Sequence, residues 1–131
     1  MKKRIVRTLQ NQLNAWVVCR FIDSVYNMND INKLPEFIAR SCRFCHEDTL
    51  VGECLDDVQV HFVYLWINQQ QIFDHVQYQV VELITNHDIV SVKIRRQCVR
   101  NLNAKVPAES FRWEMFQLDN GKIVQRWTAK S

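Results

Sequence analysis

Glycine and proline are scarce, with two of each in 131 residues, about a quarter of the usual share. So few punctuators exclude a collagenous or low-complexity chain, a sandwich of short strands with frequent turn signals, and a Gly-rich phosphate loop. Long uninterrupted elements must dominate. A strong charge of one sign is also missing, since Lys and Arg total 17 against 14 Asp and Glu. The small basic excess is local, in Lys2, Lys3 and Arg4 and again in Lys93, Arg95, Arg96 and Arg100. No motif of a nucleic-acid module accompanies these runs, which read as solvated faces, so no nucleic-acid partner is expected. No apolar stretch approaches the roughly 18 residues of a membrane span, and Ile5 and Val6 give way at once to Arg7 and Thr8. The expectation is a cytoplasmic chain with no membrane partner. With 47% apolar residues, residues 1–131 suffice for one domain with its own core.

Five cysteines at positions 19, 42, 45, 54 and 98 form an odd, irregular set, which points to reduced thiols. Cys42-Arg43-Phe44-Cys45-His46 matches the C-x-x-C-H pattern of haem attachment. If this segment is a strand, however, residues three apart face opposite sides, and Cys42 and Cys45 cannot share a haem or a zinc. Neither a metal nor another cofactor is expected, and the thiols read as small core residues.

From Ile5 to about Asn27, apolar residues recur at Leu9, Leu13, Trp16, Val17, Phe21, Ile22 and Val25, which predicts an amphipathic helix. Asp30 is placed to cap a second, short helix carrying Leu34, Phe37 and Ile38 inward, with Pro35 near its start. Residues 41–47 read as a short strand, followed by a loop to Gly52. A third helix then bears Leu55, Val58, Phe62, Leu65 and Trp66. Beyond it, period-two alternation marks four strands through Val76 to Val80, Val90 to Ile94, Phe111 to Met115, and Ile123 to Trp127. Asn86-His87-Asp88 suits a tight turn, and Asp119-Asn120-Gly121 supplies an Asn-Gly hairpin. Three helices, a short strand and an antiparallel meander make an α+β plan, in which a curved sheet wraps the helices into a cone with a mouth.

Four strings give this plan a likeness: Phe21-Ile22-Asp23 through Asn29-Asp30, Gly52, Phe73-Asp74, and Phe116 to Ile123 running on to Trp127. On these the sequence resembles the nuclear transport factor 2-like superfamily, particularly its SnoaL-like polyketide cyclase branch, over residues 9 to 128. The resemblance implies a cone-shaped, antiparallel or mixed sheet around three helices. It implies no particular chemistry, because the superfamily hosts cyclases, isomerases, dehydratases and epoxide hydrolases as well as binding and assembly domains.

Strand parity nominates the residues inside the cone. With Phe116 and Leu118 in the core, Arg112 and Glu114 share their face; Val90 to Ile94 bring Arg96 and Cys98; Val76 to Val80 bring Tyr78 and Glu82; Ile123 and Trp127 bring Gln125. Cys42 and Phe44 bring His46, where the resemblance implies a pocket histidine. The periodicity of Phe111, Trp113 and Met115 argues the other way and would send Glu114 outward. A sheet face covered in a homodimer, with Trp113 and Met115 against the partner, or a β-bulge would reconcile the two.

Two functions follow as expectations. In one, His46, Arg96 and Glu114 form an acid-base set in a pocket for a small, largely apolar molecule, with Tyr78, Glu82, Gln125 and Trp127 as ligand-binding walls, in a cofactor-free lyase, isomerase or hydrolase. In the other, the domain only binds a ligand or dimerises through the sheet face, and the same charged residues form a structural network.

Overall fold

A computed structural model describes residues 2–100 and 108–129, and burial of individual residues over 9–99 and 108–129. The first helix, α1, spans Lys2–Phe21 and passes without a break into a wider π-helical segment, Ile22–Asn27. The π turn is closed by the Met28 amide donating to the Asp23 carbonyl at 3.1 Å. Widening the helix there turns Ile22, Ser24, Val25 and Tyr26 all inward. A 3-10 turn, Ile31–Lys33, leads to α2, Leu34–Phe37, which has Pro35 in its first turn. Asp30 sits ahead of that turn without a side-chain cap and instead pairs with Lys33 at 3.4 Å. Ile38 is buried as expected but opens a strand rather than ending the helix.

The sheet comprises β1 (Ile38–His46), β2 (Thr49–Cys54), β3 (Phe73–Asn86), β4 (Ile89–Arg100), β5 (Ala108–Asp119) and β6 (Lys122–Thr128), with α3 (Leu55–Ile72) between β2 and β3. The strand order is β2-β1-β6-β5-β4-β3, and β1 lies parallel to β6 in an otherwise antiparallel sheet. The expected α+β cone is therefore present as three helices on a six-stranded mixed sheet. Residues 101–107, between β4 and β5, lie outside the described residues.

Two expectations need correction. The segment before Gly52 is not a loop: His46 pairs with Thr49 around the turn Glu47-Asp48, and Thr49–Cys54 forms β2. Glu47 holds the positive φ of 53° that an Asn or Gly more often supplies, so the turn carries no compositional signal. Gly52 accordingly lies within β2 and faces the start of α3. A Cβ there would meet the Asp57 Cβ at 2.7 Å and the Val58 amide at 3.2 Å, so the glycine lets α3 approach β2 closely.

The second correction concerns α1. Leu9, Leu13 and Trp16 are 54%, 57% and 59% exposed, whereas Asn14, Val18, Phe21, Ile22 and Val25 are buried. At about 100° per residue the first three fall on one side of the helix and the later apolar residues on the opposite side. Spacings of three and four run continuously across both sets and conceal the change of face.

Inside the cone, Phe21 stands at the centre of an aromatic cluster, edge-on to Tyr26, Phe37, Phe44, Phe62 and Phe116, with ring centroids 5.3–6.4 Å apart. These rings fill the deep part of the cone. At the free edge of the sheet, the Asn27 amide pairs with the backbone of Tyr78: Asn27 Nδ2 donates to the Tyr78 carbonyl at 2.9 Å, and the Tyr78 amide donates to Asn27 Oδ1 at 2.7 Å. The side chain thus stands in for a neighbouring strand and ties the π segment to β3.

Candidate functional site

Three polar side chains converge on Glu114, which is fully buried on the inner face of β5. The Tyr26 hydroxyl donates to Glu114 Oε1 at 2.6 Å. Arg112, two residues earlier on the same face, donates through Nε to Oε2 at 2.9 Å, and its terminal nitrogen also lies 2.9 Å from that oxygen. Arg126 of β6 brings its Nε within 3.4 Å of Oε1 and donates through a terminal nitrogen to the Cys45 carbonyl at 3.0 Å. Its guanidinium lies over the Phe44 ring, and the residue is 2% exposed. Both carboxylate oxygens are engaged by donors on either side, so Glu114 anchors the network and has little capacity left as a base.

Glu114 faces inward because β4 and β5 run in register: Val90 lies opposite Phe116, Val92 opposite Glu114 and Ile94 opposite Arg112. Phe111, Trp113 and Met115 take the outer face, with Phe111 and Met115 exposed. Parity with Phe116 and Leu118 therefore decides the conflict seen in the sequence.

Arg126 was missed because β6 carries an irregularity. Leu118 pairs with Ile123 but Gln117 pairs with Gln125, so Val124 is an extra residue and parity inverts beyond it. Arg126 lies opposite inward-facing Phe116 and Thr128 opposite Glu114, whereas Gln125 and Trp127 lie opposite Gln117 and Met115 on the outer face. The expectation that Gln125 and Trp127 line the cone is thereby corrected. A second irregularity, between Val80 and Glu82, puts Glu82 opposite Lys93 and leaves it exposed, so Glu82 also lies outside the cone. Tyr26 was missed too, although its spacing of four from Ile22 placed it on the inward stripe.

The remaining candidates are dispersed. Tyr78 is buried and inward, and its hydroxyl accepts a 2.7 Å bond from Gln69 Nε2. Arg96 sits opposite Tyr78 in the β3–β4 ladder, but its guanidinium lies over the Phe73 ring at 5.3 Å, away from Glu114. His46 is exposed at the end of β1, with Nδ1 3.2 Å from the Thr128 hydroxyl. Of the three expected acid-base residues, only Glu114 stands in the polar cluster.

Above that cluster a narrow crevice, with a cavity volume of only about 20 Å³ and open to solvent on one side, is lined by Val25, Tyr26, Asn29, Phe62, Leu65, Trp66, Gln69, Tyr78, Arg112 and Arg126. Two guanidinium groups against one carboxylate leave it with an excess of positive charge. Burial alone would lower the pKa of Arg112, but Glu114, with Tyr26 and Tyr78, outweighs it and the group stays protonated more firmly than usual. Burial pushes the Tyr26 phenol well up against the opposing pull of Arg126, and Glu114 adds to the rise. On the neighbouring face of α3, burial, then Arg126, His46 and Arg112, bring His61 down to about 4, and His46 is lowered by burial and the same two arginines. Both imidazoles are therefore neutral at pH 7, and neither adds charge.

Cys42 and Cys98 are buried, and none of the five cysteines is in a disulfide. Burial, with Cys54 and Asp57 nearby, raises the Cys42 thiol to about 11, which makes it a poor nucleophile. Among the described residues no group of three or more His, Cys, Asp or Glu is gathered as a metal would require. No helix among them is long and apolar enough to cross a membrane.

No family model matches the chain, and no curated protein does. Solved structures do. A nuclear transport factor 2-like protein of unknown function from Burkholderia pseudomallei superposes with a TM-score of 0.72 at 14% identity, covering 91% of both chains. A proposed SnoaL-like polyketide cyclase from Jannaschia gives 0.68 at 15%, covering 90% of this chain and 85% of that one. An epoxide hydrolase from M. tuberculosis gives 0.70 at 8%, covering 92% and 84%. These superpositions, at TM-scores of 0.68 to 0.72 and over at least 90% of the chain, give it the nuclear transport factor 2-like fold.

Proposed function

We propose that this is a SnoaL-like domain whose crevice, about 20 Å³ when empty, widens to receive a small, largely apolar molecule bearing an oxyanion, such as a carboxylate, phenolate or enolate. The observation that carries the reading is the unequal charge count at its floor: Arg112 and Arg126 against Glu114 alone. An anionic head would complete the balance in a partly desolvated place, where such pairing is strong. Phe62, Leu65 and Trp66 supply apolar walls for the body. The Tyr78 hydroxyl accepts from Gln69 and keeps its own proton to donate. If the ligand is enolisable, the same guanidinium charge would stabilise the enolate.

The test is a titration of the full chain followed by two-dimensional NMR, with naphthoate as the probe and the neutral naphthyl alcohol beside it. Saturable shifts at Tyr26, Trp66 and Tyr78 are expected, with the alcohol about tenfold weaker and naphthoate about tenfold weaker in Arg112→Met. Equal affinity for acid and alcohol, or no saturable shift with either, refutes the reading.

A second reading concerns assembly. Phe111 and Met115 are exposed on the outer face of β5, with Trp113 half-buried between them. We propose that two copies pair through this face, as their apolar content favours. Light scattering should give twice the chain mass, reduced to the chain mass in Trp113→Asp. A monomer before substitution refutes it.

A further inference from the structure

The outward face of α1 has no role in the crevice or in the sheet pairing. Leu9, Leu13 and Trp16 form a stripe on it, each more than half exposed, at spacings of four and three. The opposite face of the same helix, through Asn14, Val18 and Phe21, is already buried against the rest of the domain. This helix thus carries two apolar faces where packing accounts for one.

Its charge is as one-sided as its outer surface is apolar. Lys2, Lys3, Arg4, Arg7 and Arg20 are its ionisable side chains of fixed charge, and there is no Asp or Glu in its 20 residues. The domain's net charge is only +3, so α1 holds more positive charge than the whole chain has in excess. At the end of the stripe the Arg20 guanidinium lies 5.4 Å from the centre of the Trp16 ring. A protruding Leu and Trp stripe on a helix bearing cations alone is the pattern of a helix lying in a lipid interface, with apolar side chains entering the acyl boundary and Lys and Arg meeting anionic headgroups.

We propose that α1 is a membrane-surface contact that docks the domain on an anionic bilayer without crossing it. The sequence-based expectation of no membrane partner rested on the lack of a spanning segment, and a helix lying flat needs none. Charge complementarity selects this occupant over two others. In a symmetric contact between copies, two α1 helices of like charge, with no Asp or Glu in either, would oppose each other. A nucleic acid would satisfy the cations but leave Leu9, Leu13 and Trp16 in water.

The experiment is co-sedimentation of the full chain with vesicles of phosphatidylcholine alone or with about one third phosphatidylserine. The expected result is at least tenfold more bound protein on the anionic vesicles, lost at about 0.5 M salt. The double variant Leu13→Ser, Trp16→Ser should bind at least tenfold less while keeping its circular dichroism and thermal midpoint, since both side chains are exposed. Arg20→Gln should give a smaller loss with the stripe intact. Equal binding to both vesicle types, no binding to either, or unchanged binding of the double variant overturns the proposal. So does tight binding of a short duplex oligonucleotide in place of vesicles, or a doubled mass that the double variant alone reduces.

Discussion

Glu114→Gln changes one oxygen to nitrogen in the polar cluster and nearly preserves its volume, so its effect isolates charge. On one side the new amide must face Arg112, whose two donors lie 2.9 Å from Oε2. On the other it must face Arg126, at 3.4 Å from Oε1. Whichever way the amide turns, an NH2 group meets guanidinium donors, and the buried Arg126 and partly buried Arg112 lose their counter-charge. Removing one partner of a buried ion pair costs about 3–5 kcal/mol, a large part of the roughly 5–15 kcal/mol that holds a domain of this size together. Arg112 retains some solvent, with its side chain 25% exposed, so about 3 kcal/mol is the better expectation. In a urea titration with a slope of about 1.5 kcal/mol per molar, the midpoint should fall by about 2 M. The companion variant Glu114→Gln, Arg126→Met removes one orphaned cation and should recover at least half of the loss. A midpoint for Glu114→Gln within about 0.5 M of the parent, or a double variant no more stable than the single one, would falsify the idea that charge balance holds this cluster together.

Three other consequences are accessible to simple measurements. His61 is lowered to about 4, below its ordinary 6.5, so between those values the unfolded chain binds the additional proton; stability should fall as pH drops from about 7 to about 4, and His61→Phe should flatten that slope. An unchanged slope in the variant would locate the pH dependence elsewhere. Gly52→Ala should lose about 1–3 kcal/mol in denaturant titration, because the new methyl meets the Asp57 Cβ at 2.7 Å; a neutral result would mean that α3 slides away freely. Asn27→Ala removes both bonds to the Tyr78 backbone, and hydrogen exchange should quicken at the Tyr78 amide by more than tenfold while amides of β5 stay protected.

Local chemistry wrote much of the fold into the chain. The Asn120-Gly121 pair, with φ of 51° and 76°, is read directly as a hairpin turn, and strict alternation marks β3 to β6 as strands. The turn at Glu47-Asp48 lacks that chemistry, which is why β2 was not legible. The site was half legible for a related reason. Parity extends only as far as the register is regular: it carried Arg112, Glu114 and Tyr78 to the inner face, but one inserted residue at Val124 exchanged Gln125 and Trp127 for Arg126 and Thr128. An insertion of this kind leaves no trace in composition, because the strand keeps pairing and only its faces change. Likewise, spacings of three and four announced α1 as a helix, yet which of its two apolar sides meets the sheet depends on where the cone ends. Sequence determined the elements other than β2, since turns and periodicity act over a few residues. Tertiary structure decided which side chains meet, because bulges and packing limits are set by strands and helices distant in the chain.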